Sequence, residues 1–168
     1  MARPKIAQRV PVPLEPLIET TFSFLTERLA ERGIRIERSF KAVSSVSGDP
    51  ERLQQLFLNL FLNATDAMPD GGVLRVGMEE TGDGELEIRV ADSGTGIPPE
   101  DLERIFNPFF TTKEAGEGNG LGLMVCKGII SDHGGSIGVV STPGTGTEFQ
   151  IALPVPEGME KDAKAEAG

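Results

Sequence analysis

Two pairs of alternating segments, each folded back by a short glycine-containing turn, constrain this chain more than any other feature. Val73 to Glu79 and Leu86 to Ala91 alternate apolar and polar residues and are separated by Thr81-Gly82-Asp83-Gly84. Ser136 to Ser141 and Thr147 to Leu153 do the same around Pro143-Gly144. A period of two places apolar side chains on one face of a strand, and tight turns pair such strands antiparallel. Ahead of the hairpins the period changes. Leu14, Leu17, Ile18, Phe22, Leu25 and Leu29 recur at helical spacing over residues 14–32, with Gly33 as the stop. Asp49-Pro50 reads as an N-cap followed by a first-turn proline. It opens a helix through Met68 with Leu53, Leu56, Phe57, Leu60, Phe61 and Ala64 on its buried side, ended by Pro69-Asp70-Gly71-Gly72.

The remaining elements are shorter. Ile34 to Phe40 reads as a strand, followed by a brief second one near Ala42 to Val46. Pro98-Pro99-Glu100-Asp101 starts a short helix to about Ile105, and Leu123 to Ser131 is helical, ended by His133-Gly134-Gly135. Residues 107–121 carry no periodicity and are expected as a long loop, a length that in compact domains is usually functional or disordered. Strands arrive as hairpins rather than as βαβ crossovers. The expected class is an α/β (α+β) sandwich with helices layered on one face of a mostly antiparallel sheet. Residues 1–12, basic and broken by prolines, are expected as the end of a linker, 13–155 as one domain, and 156–168 as an unstructured tail.

The formal net charge of −10 over 168 residues argues against non-specific binding to nucleic acid or anionic lipid. A bound polyphosphate would need local help from a divalent cation, backbone N–H groups and a few placed Lys or Arg. No run approaches the roughly 18–20 apolar residues of a membrane span. The single cysteine, Cys126, cannot form an internal disulfide and suits a reducing, cytoplasmic setting.

Several residues carry candidate chemistry. Asn59 and Asn63 share a face of the long helix. An unpaired buried amide costs on the order of 1–3 kcal/mol, so each carboxamide needs a partner. The backbone could supply it, or one oxygen could ligate Mg²⁺, which favours hard oxygen ligands shared with phosphates. Asp92 ends an apolar strand. It is either a turn-former ahead of Gly94 or an acceptor for an exocyclic amine such as that of adenine. Gly94 and Gly96 leave room for backbone to approach a flat ring. Gly118, Gly120 and Gly122 stand just before a helix, where N–H groups attract anions. Lys113, the only basic residue between Arg104 and Lys127, could meet a terminal phosphate. His133 suits a cationic cap at a helix end. Neither G-x-x-x-x-G-K-[ST] nor G-x-G-x-x-G occurs, which excludes P-loop and Rossmann sites.

In order along the chain, these blocks resemble the catalytic and ATP-binding domain of sensor histidine kinases, within the wider gyrase, Hsp90, histidine kinase and MutL superfamily. Asn59-Leu60-Phe61-Leu62-Asn63-Ala64 is similar to the N box, led in by Asp49-Pro50-Glu51-Arg52-Leu53. Asp92-Ser93-Gly94-Thr95-Gly96 is similar to the G1 box, and Phe106-Asn107-Pro108-Phe109-Phe110-Thr111-Thr112-Lys113 to the F box. Gly118 to Leu123 resembles the G2 box, and Gly144-Thr145-Gly146-Thr147-Glu148-Phe149 the closing segment. The resemblance covers about residues 12–154, and the wording is most like the nitrogen-regulator type.

The resemblance implies a Bergerat-type fold: a mixed, mostly antiparallel five-stranded sheet with about three helices on one face. It implies ATP and Mg²⁺ as ligands. Asn63 would ligate the metal and, with Lys113, serve catalysis, while Asn59 would support it or contact phosphate. Asp92 would hold the adenine amine with Thr147 assisting through water, and Gly94, Gly96, Ile97, Phe106, Phe110 and Thr112 would line the pocket. Residues 107–121 would form the ATP lid, with Lys113 and Gly118, Gly120, Leu121, Gly122 and Leu123 on the phosphates. Many relatives carry Lys or Arg at the position of Asp66, so the phosphate contact made from there would fall to Lys113. Hydrolysing relatives carry Glu at the position of Asn59, so slow hydrolysis is expected here. The phosphoacceptor histidine would lie on a separate dimerisation domain of the same kinase, with a response regulator as indirect partner. The isolated domain would be a monomer and the full-length kinase a homodimer. A protein serine kinase of the anti-sigma-factor type and an ATP-gated binding module remain alternatives.

Overall fold

A computed structural model describes residues 9–41, 45–107 and 122–156 of the chain. Its element order is β1 (Val10–Pro13), α1 (Leu14–Ser23), α2 (Thr26–Arg32), β2 (Ile34–Phe40), β3 (Ser45–Gly48), α3 (Pro50–Ala67), β4 (Gly72–Glu80) and β5 (Glu85–Asp92). A 3₁₀ turn at Pro99–Asp101 follows, then α4 (Gly122–Asp132), β6 (Ser136–Thr142) and β7 (Gly146–Pro154). Strands β2-β4-β5-β7-β6 form one five-stranded sheet, and β1 and β3 a separate two-stranded one. The expected mixed, mostly antiparallel five-stranded sheet is present, with four α-helices among the described residues where about three were expected.

Alternation sets the faces. Leu74, Val76 and Met78 of β4, Leu86, Ile88 and Val90 of β5, and Phe149, Ile151 and Leu153 of β7 are buried against the helices. On the opposite side Arg75, Glu79 and Arg89 are exposed. The helix α3 supplies the other half of the core through Leu53, Leu56, Phe57, Leu60, Phe61 and Ala64, all essentially inaccessible. Phe22 of α1 stacks on Phe61, ring centroids 4.6 Å apart. The predicted cap holds: Asp49 Oδ1 accepts the N–H of Glu51 at 3.0 Å, and Pro50 occupies the first turn.

Four expectations are corrected. The helix over residues 14–32 is two helices broken at Phe24-Leu25, leaving Phe24 62% exposed. Hydroxyls compete for helix carbonyls there: Thr21 Oγ1 donates to Leu17 O and Ser23 Oγ to Thr20 O. Not every strand arrives in a hairpin: β2 pairs parallel with β4, Ile34 opposite Gly72 through Phe40 opposite Met78, with α3 in the crossover. Parallel pairing demands such a crossover, and helical spacing alone does not reveal where a helix lands. The strand near Ala42 to Val46 is Ser45–Gly48, with 42–44 outside the described residues, and its partner is β1. Consequently Val10 to Val12, expected in a linker end, are part of the packed unit, with Val12 buried opposite Val46. Residues 1–8 and 157–168, expected as linker and tail, lie outside the described residues.

Candidate functional site

One cross-strand row builds the site. Register places Leu74, Asp92, Thr147 and Ser141 side by side across β4, β5, β7 and β6, on the face that the helices cover. The next rows inward, Val76-Val90-Phe149-Val139 and Met78-Ile88-Ile151-Ile137, are wholly apolar. The hydrophobic face thus ends in a polar margin at one edge of the core. Asp92 accepts the Gly94 N–H at 2.9 Å and the backbone N–H of Thr147. Burial outweighs these two bonds and pushes its carboxyl above the usual carboxylate range. Among the described residues no Lys or Arg is paired with it.

The turn after Asp92 is wedged between two elements. Thr95 N–H donates to Ala67 O at the end of α3, and Thr95 O accepts the Gly144 N–H of the β6–β7 turn. A Cβ on Gly94 would strike Ala67 O, and one on Gly96, at φ 77°, would strike Thr142 O. The chain's own backbone therefore requires both glycines, a demand that the sequence suggested only for a ligand. Ser141 Oγ accepts the Ile97 N–H at 2.7 Å and stands 2.7 Å from Thr147 Oγ1. Ser141 was missed as a site residue. Its signal was available: in the alternation Ile137, Val139, Ser141 it is the polar member on the helix-facing side.

The two asparagines of α3 divide. Asn59 bonds the thiol of Cys126, whose Sγ also donates to Leu56 O at 3.7 Å. Burial pushes that thiol up to about 12, so Cys126 is an inert link between α3 and α4. The side chain of Asn63, half-buried, has no hydrogen-bond partner among the described residues, which leaves its carboxamide oxygen available to a hard cation. No cluster of three or more His, Cys, Asp or Glu that could hold a metal occurs among the described residues. A donor set of one amide oxygen fits Mg²⁺ shared with phosphate oxygens better than an all-protein cage. Asp66 faces α2, its Oδ1 3.7 Å from Arg28 and 3.6 Å from Arg32.

Phe106 packs edge-on to Phe149 at 6.4 Å, with Lys127 Nζ 5.6 Å from its ring centroid. Ile97 and Leu123 lie partly buried against the core, and Gly122 begins the described part of α4. Phe110, Thr112, Lys113, Gly118, Gly120 and Leu121 lie outside the described residues, as does the lid expected at 107–121 apart from Asn107. His133 is buried but not a cationic cap. Its Nε2 accepts the Asp49 N–H at 3.1 Å and its Nδ1 donates to Ile129 O at 2.7 Å, an arrangement only the neutral ring can make. Burial lowers its pKa accordingly. No described helix is long and apolar enough to cross a membrane.

The family model described as histidine kinase-, DNA gyrase B-, and HSP90-like ATPase matches residues 48–157. Sensor histidine kinase ZraS of Klebsiella oxytoca is 39% identical over 163 residues, covering 96% of this chain and 35% of that protein. Full-length ShkA in complex with AMPPNP superposes with a TM-score of 0.81 at 29% identity, covering 92% of this chain and 32% of that one. Histidine kinase ThkA in complex with response regulator protein TrrA superposes with a TM-score of 0.75 at 29% identity, covering 88% and 42%. The chain spans about a third of the length of the curated relatives it matches.

Proposed function

We propose a function from one premise: the chain belongs to the histidine kinase-, DNA gyrase B-, and HSP90-like ATPase family. It binds Mg-ATP and presents the γ-phosphate to a histidine on the dimerisation domain of a two-component sensor kinase, from which a response regulator is charged. The observation that carries this is Asp92, a carboxyl at the rim of an apolar sheet face, held by backbone N–H groups and left without a cation among the described residues. Such a group is expensive to keep unless it receives a donor from a ligand, and the adenine amine is one.

Asp92 accepts that amine, with Thr147 beside it through water. The Gly94–Gly96 turn and Ile97 form one wall of the ring slot, and Phe106, Phe110 and Thr112 complete it. Asn63 offers its oxygen to Mg²⁺, and Asn59, anchored on Cys126, orients the same helix face. Held there by Asn63, Mg²⁺ would offset the negative charge of the phosphates. Lys113 and the N–H groups of Gly118, Gly120, Leu121, Gly122 and Leu123 hold the phosphates, and residues 107–121 act as a lid that excludes water. Asn59 is no general base, so the bound nucleotide persists until an acceptor histidine arrives. The site works in the cytoplasm as one half of a homodimeric kinase.

Radiolabelled ATP and a purified dimerisation domain from a relative such as ZraS test this. Mg²⁺-dependent, acid-labile label on that domain's histidine is expected. Tight Mg-ATP binding without any transfer contradicts it in favour of a binding module, and label on serine favours the serine kinase.

A further inference from the structure

We infer that Ser141 is a positioning residue for purine selection, fixing the Thr147 hydroxyl as an acceptor toward the bound base. The inference rests on the proposal that Asp92 and Thr147 hold the six-position of adenine. Ser141 Oγ stands 2.7 Å from Ile97 N, 3.0 Å from Gly146 O and 2.7 Å from Thr147 Oγ1. A hydroxyl has one proton to give and two lone pairs to offer. The Ile97 N–H can only donate, so it takes a lone pair. The Gly146 carbonyl can only accept, so it takes the proton. What Ser141 has left is a second lone pair, and the Thr147 hydroxyl donates into it. The opposite assignment, with Ser141 donating to Thr147, turns a bare oxygen toward the Gly146 carbonyl and loses one bond of the three.

With its proton committed, Thr147 Oγ1 has only lone pairs for a ligand or a bridging water. Its cross-strand neighbour is Asp92, which as a carboxylate also only accepts. Thr147 is 6% exposed, so its hydroxyl cannot turn into bulk water. The rim of the sheet therefore presents acceptors alone. That matches an exocyclic amine and opposes a carbonyl at the same ring position, the arrangement that rejects an analogue most strongly. The same Oγ anchors Ile97, one residue beyond Gly96, so one hydroxyl ties the turn after Asp92 to the β6–β7 hairpin.

ATP and inosine triphosphate differ in having an amine or a carbonyl at the six-position, with the ring N–H that accompanies the latter. Calorimetric titration of each, with Mg²⁺, into wild type, Ser141→Ala, Ser141→Cys and Asp92→Asn tests the inference. Wild type prefers ATP. In Ser141→Ala the freed Thr147 hydroxyl can donate, so ATP weakens, inosine triphosphate gains, and the preference shrinks by about tenfold. Ser141→Cys, which keeps the volume but accepts weakly, shrinks it in the same direction and carries the comparison should the alanine variant fail to fold. Equal loss for both nucleotides, or an unchanged ratio, overturns the inference and leaves Ser141 a turn anchor. A wild type that does not separate the two nucleotides overturns the Asp92 proposal and this inference with it. Separation that vanishes in Asp92→Asn but survives both Ser141 variants overturns only the inference about Ser141.

Discussion

Asp92 works against the fold it belongs to. Burial raises its pKa, so the folded state holds this proton more tightly than the unfolded chain does. A carboxyl raised in this way favours folding below its unfolded pKa and opposes it once pH rises through the folded one, so at neutral pH the ionised group is a net penalty. Asp92→Asn keeps an oxygen for the Gly94 and Thr147 N–H groups and removes the charge. We expect its melting temperature to equal or exceed that of wild type while ATP affinity falls by about 10- to 100-fold, read by thermal unfolding and calorimetry. A large drop in melting temperature would make Asp92 a structural turn residue instead. His133 behaves oppositely to its sequence expectation and for a legible reason. A histidine ahead of two glycines suggests a cap, but only the fold reveals that the Asp49 N–H reaches its ring. Its lowered pKa means that the unfolded chain takes up the proton first. Stability from this group is therefore full above about pH 6.5 and is lost as pH falls below that value. In a His133→Gln variant, urea midpoints measured from pH 7.5 to 5 should fall less steeply than in wild type.

Among the elements, α3 does most to position the site. Its start is fixed by the Asp49 cap and by His133 from the end of α4, and its last carbonyls receive the turn after Asp92 through Thr95. The helix, its cap and its buried stripe were all readable in the sequence, because capping and a period of 3.6 are local properties. So were the β4–β5 and β6–β7 hairpins, whose turns declare themselves. The β1–β3 pair was not, since Val12 and Val46 meet only through tertiary folding and a Pro-rich start masks a strand. The break between α1 and α2 lay in Thr21 and Ser23, whose hydroxyls bond helix carbonyls and matter more than the apolar spacing around them. At this scale the test is Gly94→Ala. Its Cβ would meet the Ala67 carbonyl, so the turn must move off α3. A loss of about 1–3 kcal/mol in denaturant unfolding is expected, together with weakened nucleotide binding. Unchanged stability would mean that the turn and α3 are not rigidly docked.

Over the whole molecule, the sheet and its single helical layer deliver an apolar core with one polar edge, where Asp92, Thr147 and Ser141 meet the C-terminal end of α3. The blocks of the site were legible as residue types in sequence order. The polarity of that row was not, because it depends on register across four strands. The packed unit also reaches further toward the N-terminus than the proline pattern suggests: Arg9 donates to Ser47 O and to Asp132 O, and Val12 is buried. Deletion of residues 1–13 should lower unfolding stability by at least about 2 kcal/mol, the value of one buried valine plus its strand. Deletion without effect would return Val10 to Val12 to a linker. A Mg-ATP site built from Asn63 and Asp92 is measured most directly by calorimetric titration of ATP with and without Mg²⁺. Saturable, one-to-one binding in wild type that weakens when Mg²⁺ is chelated, and is abolished in Asn63→Asp and Asp92→Ala, is the predicted result. ATP affinity unchanged in both variants, or no binding by the folded wild-type chain, would contradict it.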